Sequence, residues 1–449
     1  MRSTRQLLDR RSVVLVTATC FLVTAALTSC SSRDDIAPSA PLDALDAASE
    51  ASLPSVDAAV EASPLRDAGP FDAAPLPVVC ESHPCAVSLV TTPSLWYRPV
   101  EGFCALLDDR SVACWGSNAD GQLGRGDDGD LEASARPTRV VGITDAAKLD
   151  HTCALDSSGG VWCWGPGPFL RGDAGAVTAE RTPVKLPLPR TKDVGIGSMV
   201  GCAVVDDGVL CWGQNQNGQV RSPPSPGELP TERVTIPPGA PIRDIVVGGA
   251  TFALREDGVA LSWGASPPLA RVSSLQPDPH PAPIGIGPIS SIDVTNESGC
   301  AAAGGIGYCW GAIDVYPPTT DAPSKLLRAL PTPVVMPEPV VQIATTPNTR
   351  IDEVARPQRW CAVAASGSVY CWGSNDSGQA GDGTKQYAQN AVEVQGLPGP
   401  AAEVRTMPMS TCALLTTGKI YCWGNNFYGQ LGHGRIKGIS LVPQEVVLP

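Results

Sequence analysis

The sixteen cysteines of this 449-residue chain offer the most chemistry, and their spacing sorts them. Cys104 and Cys114, Cys153 and Cys163, Cys361 and Cys371, and Cys412 and Cys422 lie ten apart; Cys202 and Cys211, and Cys300 and Cys309, lie nine apart. Folding each segment at its midpoint sets its two thiols opposite each other across a hairpin, at a separation a disulfide can span. A spacing of ten centres on a three-residue loop with Gly in its left-handed position, as in Thr416-Thr417-Gly418. A spacing of nine centres on an even turn such as Gly304-Gly305. One further copy of the pattern carries Phe252 and Ser262 at the two cysteine positions. Partners in one covalent bond are lost together, so the double replacement supports pairing. Cys80 with Cys85 makes a seventh pair. Zinc is the alternative use of such thiols, but these are not the close Cys spacings of zinc knuckles, and no metal site is expected.

Cys30 belongs to a different chemistry. Arg2, Arg5, Arg10 and Arg11 precede an apolar run from Val13 to Leu27, too short for a good membrane span, which ends in Leu27-Thr28-Ser29-Cys30. That ending looks like a bacterial lipobox, with residues 1–29 a cleaved signal peptide and Cys30 the acylated first residue. Several acyl chains anchor stably. Ser31 after the modified Cys favours the outer membrane, so the chain is expected in the cell envelope, held by lipid alone. Export also permits disulfides. Cleavage removes four Arg and Asp9, taking the formal charge from −13 to −16. Residues 30–79 form an Ala/Pro/Asp-rich stretch almost free of aromatics, which cannot bury enough apolar surface to offset its ordering entropy. It reads as a disordered tether with a reach of roughly 40 Å.

The elements that must position the cysteines repeat. Trp-Gly recurs at Trp115, Trp164, Trp212, Trp263, Trp310, Trp372 and Trp423, at spacings of 49, 48, 51, 47, 62 and 51 residues. That is the period of a propeller blade. Two short apolar runs around a turn precede each Trp-Gly, and 46 Gly with 44 Pro fit many short strands. The clearest copies continue as Gly-Ser-Asn-x-x-Gly-Gln, through Ser117 to Gln122 and Ser374 to Gln379.

The cadence Cys-Ala-Leu, turn, Trp-Gly-x-Asn-x-x-Gly-Gln-Leu-Gly-x-Gly resembles the repeat of the regulator of chromosome condensation family. Gly121-Gln122-Leu123-Gly124-Arg125-Gly126 and Gly429-Gln430-Leu431-Gly432-His433-Gly434 carry it most closely. The resemblance spans roughly residues 95–449 and implies an all-β, seven-bladed β-propeller over residues 80–449. It further implies closure by strands from both termini, with Pro443–Leu448 as the opening strand of another repeat.

Other motifs have plainer readings. Gly124–Gly129 spells a dinucleotide fingerprint, but it is the repeat's own turn, with no strand-then-helix context. Ser262 in Ala260–Gly264 imitates a nucleophile elbow while merely replacing a hairpin cysteine. Arg125-Gly126-Asp127 and Arg171-Gly172-Asp173 fall where the repeat supplies Gly. Asp127, Asp128, Asp130 and Glu132 lack the spacing of a calcium loop. His83, His151, His280 and His433 occupy unlike positions. The Trp of each Trp-Gly is expected to pack blade against blade.

These readings exclude nucleic acid, which needs a basic stripe that this acidic chain does not show. They predict a monomeric, cofactor-free, non-catalytic scaffold that binds an extracellular or periplasmic protein or glycan through propeller loops. A sialidase-like propeller hydrolase is the rival, because the hairpin turn echoes an Asp-box. Guanine-nucleotide exchange is implied by the family name alone. The sixth Trp-Gly arrives about eleven residues late, and the segment before Cys361 holds Arg350, Asp352, Arg356, Arg359 and Trp360. Length variation in a rigid repeat maps to loops, and Arg and Trp are enriched at binding hot spots. These five residues are expected to form an exposed partner-binding loop.

Overall fold

Short apolar runs bounded by Gly, Asn, Asp and Pro become strands here, and no helix occurs among the described residues. The computed structural model describes residues 74–92, 100–127, 131–167, 178–315, 324–346, 349–351, 354–356 and 358–449. The signal-peptide and lipidation readings, and most of the tether, lie outside them.

Seven four-stranded antiparallel sheets follow one another along the chain. Blade 1 runs Ala86–Arg139, blade 2 Ala146–Lys185, blade 3 Thr191–Val234 and blade 4 Ile242–Pro283. Blade 5 runs Ile289–Pro333, blade 6 Val340–Glu393 and blade 7 Ala401–Glu445. In each, strand order follows the sequence, apart from a two-stranded ribbon inserted in blade 6. The first strands of all seven neighbouring pairs touch, so the first strand of every blade lines one axis.

The hairpin formed by the second and third strands carries the cysteines in the predicted register. Cys104 opposes Cys114, Cys202 opposes Cys211 and Cys412 opposes Cys422. All seven predicted disulfides form, and the six within hairpins have Cα atoms 4.1 Å apart. The hairpin loops place Gly418 at φ +80° and the Gly304-Gly305 turn at +57° and +82°, as the spacing requires. In blade 1, Arg110 takes the left-handed position at φ +64° without being Gly. Phe252 opposes Ser262 in blade 4, so the hairpin keeps its register without the bond.

Ring closure differs from the expectation. The last strand, Ile439–Glu445, pairs with Ile420–Asn425 as the outer strand of blade 7, and blade 1 is complete from Ala86 onward. Among the described residues no strand is exchanged between the termini. The seam is instead clipped by the entering chain: Val79 N–H donates to the Thr416 carbonyl at 2.6 Å and Ala86 N–H to that of Gly418 at 3.0 Å. The Cys80–Cys85 disulfide bridges the chain between these two bonds, and Val78 and Leu448 pack into the core shared by blades 1 and 7. Leu76 already lies against the blade 6 turn at Gly367, so contacts begin before the boundary read from sequence.

Candidate functional site

Because successive strands are antiparallel, the ends of the first and third strands of every blade share one face, here called the Trp-Gly face. Its seams explain the repeat. The indole N–H of Trp115 donates to the carbonyl of Gln430 in the preceding blade at 3.0 Å, and Trp164 to Gln122, Trp263 to Gln219 and Trp423 to Gln379 at 2.9–3.0 Å. The turn that presents each carbonyl is built by the Asn of the motif: Asn118, Asn215, Asn375 and Asn426 accept the N–H five residues on. The Gly after Trp permits close approach, since a Cβ on Gly116 (φ +99°) would lie 2.5 Å from the Glu101 carbonyl. The Trp-Gly tryptophans are therefore seam residues, as expected. Trp212 and Trp372 are the exceptions: the Nε1 of Trp212 is buried without a partner, Trp372 is half-buried against Trp360, and blades 2 and 5 before them have no Gly-Gln turn in their sequence.

Two members of the predicted binding loop are corrected by the structure. The added residues of blade 6 lie upstream, between its first and second strands, where Thr349–Ile351 pairs with Val354–Arg356 as a ribbon. Arg359 and Trp360 follow it on the strand Arg359–Ala364 and are 0% and 4% exposed. Arg359 occupies the position held by Gly102, His151, Val200, Ala250, Ser298 and Ser410 in the other blades. Its guanidinium crosses the seam and donates to the carbonyls of Gln379 (3.0 Å), Met407 (2.5 Å) and Ser410 (2.9 Å), and to the Thr411 hydroxyl. Trp360 stacks on Trp372 with centroids 6.0 Å apart, beside a blade that lacks the Gly-Gln turn. Both are packing residues. Arg350 and Arg356 fall on the ribbon backbone, while their side chains and all of Asp352 lie outside the described part.

A buried carboxylate works beside Arg359. Glu101 of blade 1 accepts hydrogen bonds from Met409 N–H (2.6 Å), Ser410 Oγ (2.6 Å) and Gln430 Nε2 (3.2 Å). Burial raises its pKa, and these bonds together with Arg359 only partly oppose the rise. Glu101 and Arg359 thus brace the two seams that flank blade 7.

Acids also line the axis, at two alternate positions of the first strands, Asp193 and Glu403 at the earlier one and Asp150 and Asp293 two residues later. Asp193 accepts from Ile245 N–H of the next blade (2.8 Å), Glu403 from Leu89 (3.1 Å), Asp150 from Ile196 (2.7 Å) and Asp293 from Thr345 (2.7 Å). Gln342 does the same with Val404, and Arg405 donates to the Leu89 carbonyl. An inner strand has one edge without a strand partner, and such an edge must be covered. Blades 2, 3, 5, 6 and 7 each cap the inner edge of the next in this way. Lys148 sits between Asp193 (2.6 Å) and Asp244 (3.3 Å), and His151 lies 3.2 Å from Asp150. Sequence reading missed this ring, although isolated acids inside apolar runs, as in Arg243-Asp244-Ile245 and Ile292-Asp293-Val294, are its signal.

A surface cleft of about 170 Å³ is lined by Ile143, Asp145, Asp156, Ser158 and Trp162 among others. Asp156 is the hairpin acid that echoes an Asp-box. Burial raises its pKa, but bonds from Ser158, Trp162 and Gly160 outweigh that and hold it at about 2. A general acid needs the opposite shift. Its carboxylate ties the turn, accepting from Gly160 N–H (2.8 Å) and Trp162 Nε1 (2.9 Å). Ser262 is buried and donates to the Leu269 carbonyl at 2.6 Å, which accounts for the apparent nucleophile elbow.

Residues 146–165, 361–379 and 410–430 match the family model of the Regulator of chromosome condensation (RCC1) repeat. Three blades carry the RCC1 repeat signature. Among curated proteins the chain is similar to the Arabidopsis thaliana ultraviolet-B receptor UVR8, 27% identical over 343 residues, which are 74% of this chain and 64% of that one. It is also similar to the human E3 ubiquitin-protein ligase HERC2, 25% identical over 375 residues, 80% of this chain and 6% of HERC2. The chain thus spans less than two thirds of these relatives. Among solved structures, human WBSCR16 superimposes with a TM-score of 0.59 at 19% identity, covering 76% of this chain and 94% of that one. Yeast RCC1 (Prp20), solved bound to Kap60, gives 0.59 at 18%, covering 83% and 88%. The fold is that of the RCC1 propeller, and its repeat accounts for the seam geometry above.

Proposed function

We propose that the protein is a non-catalytic interaction scaffold of the bacterial cell envelope, anchored by lipid on Cys30 and engaging a protein or glycan through loops of the Trp-Gly face. The observation that carries this reading is the division of labour within the repeat. Its recurring Trp, Asn, Gln and axial acids are engaged inside seams, while differences in length and composition collect in the connections on one face. Loops on a rigid frame are where binding residues concentrate. The relatives support it by analogy, since yeast RCC1 is described as bound by Kap60, and Prp20p with binding to Gsp1p and histones. Arg350, Asp352 and Arg356 remain the proposed contacts of the blade 6 ribbon. The test combines two variants in the native organism. Cys30→Ala should abolish labelling by a palmitate analogue and release the protein from the membrane fraction. Replacing the ribbon by the short blade 7 turn, Met407-Pro408-Met409, should remove the cross-linked partner while the melting temperature holds. A wild type that is never acylated, or a partner retained by the ribbonless protein, overturns the corresponding half.

A further inference from the structure

The turns after Trp-Gly share one frame and differ in what they display. Between the turn Asn and Gly-Gln, blade 1 has Ala119-Asp120, blade 3 Gln216-Asn217 and blade 6 Asp376-Ser377, whereas blade 7 has Phe427-Tyr428. The frame does not call for aromatics: Asn426 and Gln430 make the same bonds to Leu431 N–H (3.1 Å) and Tyr428 N–H (2.8 Å) as their counterparts make in blades 1 and 6. Phe427 is 59% exposed, touching Tyr428 edge-on at 4.9 Å.

The second difference is charge. After its Gly-Gln-Leu-Gly, blade 1 carries Asp127, Asp128, Asp130 and Glu132 against one Arg125; blade 7 carries Arg435, Ile436, Lys437 and Ile439 with no acid. The Asn426 side-chain amide donates to the carbonyls of Arg435 (2.9 Å) and Lys437 (3.4 Å), which holds this segment beside Phe427. Ile436 and Ile439 are 50% and 42% exposed. Lys437 sits at φ +71°, a conformation rare for a residue other than Gly. Neither Arg435 nor Lys437 has a carboxylate partner among the described residues. An apolar cluster rimmed by charge marks an interaction surface, and a basic rim on a chain of net charge −13 selects the opposite sign.

We infer that this surface of blade 7 docks an acidic segment of a partner protein that carries an aromatic or aliphatic anchor. The anchor seats against Phe427 and Ile436, and the flanking carboxylates meet Arg435 and Lys437. This rests on the scaffold reading and adds its partner's chemistry.

The test uses the purified full chain and three short fluorescent peptides. One alternates Asp and Glu around a Trp and a Leu, a second replaces the acids by Lys, and a third replaces the apolar residues by Ser. Saturable anisotropy change is expected with the first alone, weakening as salt is raised. Phe427→Ser, and the double variant Arg435→Glu with Lys437→Glu, should each reduce affinity by about tenfold or more at an unchanged melting temperature. No binding of the anchored acidic peptide overturns the inference, as does equal binding by the variants or by the anchorless peptide. It is likewise overturned if the same variants abolish sedimentation with phosphatidylglycerol vesicles, or a self-association seen by sedimentation velocity, in place of peptide binding. Failure here leaves the ribbon deletion and Cys30 results standing, so the two readings fail separately.

Discussion

In blade 4 the hairpin lacks its disulfide, and Arg271 lies 2.8 Å from Asp278 while donating to the Ser262 hydroxyl and carbonyl and to the His280 carbonyl. In blade 6 the Cys361–Cys371 bond is present, and Arg359 sends its guanidinium out of the blade to the carbonyls of Met407 and Ser410. Both arginines are largely buried, yet one braces its own sheet and the other braces a seam. The link lost between the second and third strands of blade 4 is answered in two places. Arg271 joins the third strand to the fourth, and Phe252, filling the first cysteine position, packs on Trp310 of blade 5 at 5.7 Å. A blade without its staple is thus held by ionic and aromatic contacts, and a blade with one can commit its cation to a neighbour.

Three perturbations separate these roles. Arg359→Ala should have the largest effect, a loss of about 3–5 kcal/mol in denaturant unfolding, because a buried charge site is emptied and carbonyls facing blade 7 lose their donor. Arg359→Lys should fall between, since it keeps the charge without the planar fork. A change below about 1 kcal/mol in the Ala variant would return Arg359 to the surface role first expected of it.

Acid should single out blade 4 next. Burial raises the Asp278 pKa, but bonds from Ser273, His280 N–H and Arg271 outweigh it and hold the group at about 2. A folded pKa below the unfolded value of about 3.9 means the contribution is complete above that value and is lost as pH falls through 2. The expected loss is about 2 kcal/mol, absent in Asp278→Asn, measured as the difference in unfolding free energy between the two proteins from pH 5 to pH 2. Parallel pH profiles for the two proteins would break the contrast between ionic and covalent bracing.

The smallest net effect belongs to Phe252→Cys with Ser262→Cys. Register places the two thiols opposite each other, so the bond should form in air and appear in non-reducing peptide mapping. A short-loop disulfide adds at most about 3 kcal/mol, and loss of the Phe252 ring removes a similar amount, so the melting temperature should barely move. Two free thiols in the oxidised protein would contradict the register.

The hairpins, the disulfides and the seven-blade count were legible because each rests on local spacing repeated along the chain. The seam and the axis were less so. Trp360 and Arg359 lie just past an insertion, and only the repeat register, which gives them the places of Phe103 and Gly102 before the hairpin cysteine, separates them from the ribbon. The hydrogen bonds of Arg359 reach residues about fifty positions away, and those of Glu101 more than three hundred, so only closure of the ring reveals them. Phe427 and Tyr428 were visible as letters, but their meaning depends on knowing that the same turn elsewhere displays small and polar residues.

The entry clip at the blade 7–1 seam has a mechanical consequence. Tension applied to the chain before Leu76 meets the packing of Leu76 and Val78, then the Val79–Thr416 bond, and then Cys80. From there the load can cross to Cys85 through the sulfur bridge, bypassing the four residues between, and enter blade 1 at Ala86. The bridge acts as a covalent shunt that shortens the slack available to a pull. The clip can yield while the ring stays closed, because Trp115, Glu101 and Leu89 hold blade 1 to blade 7 by bonds of their own.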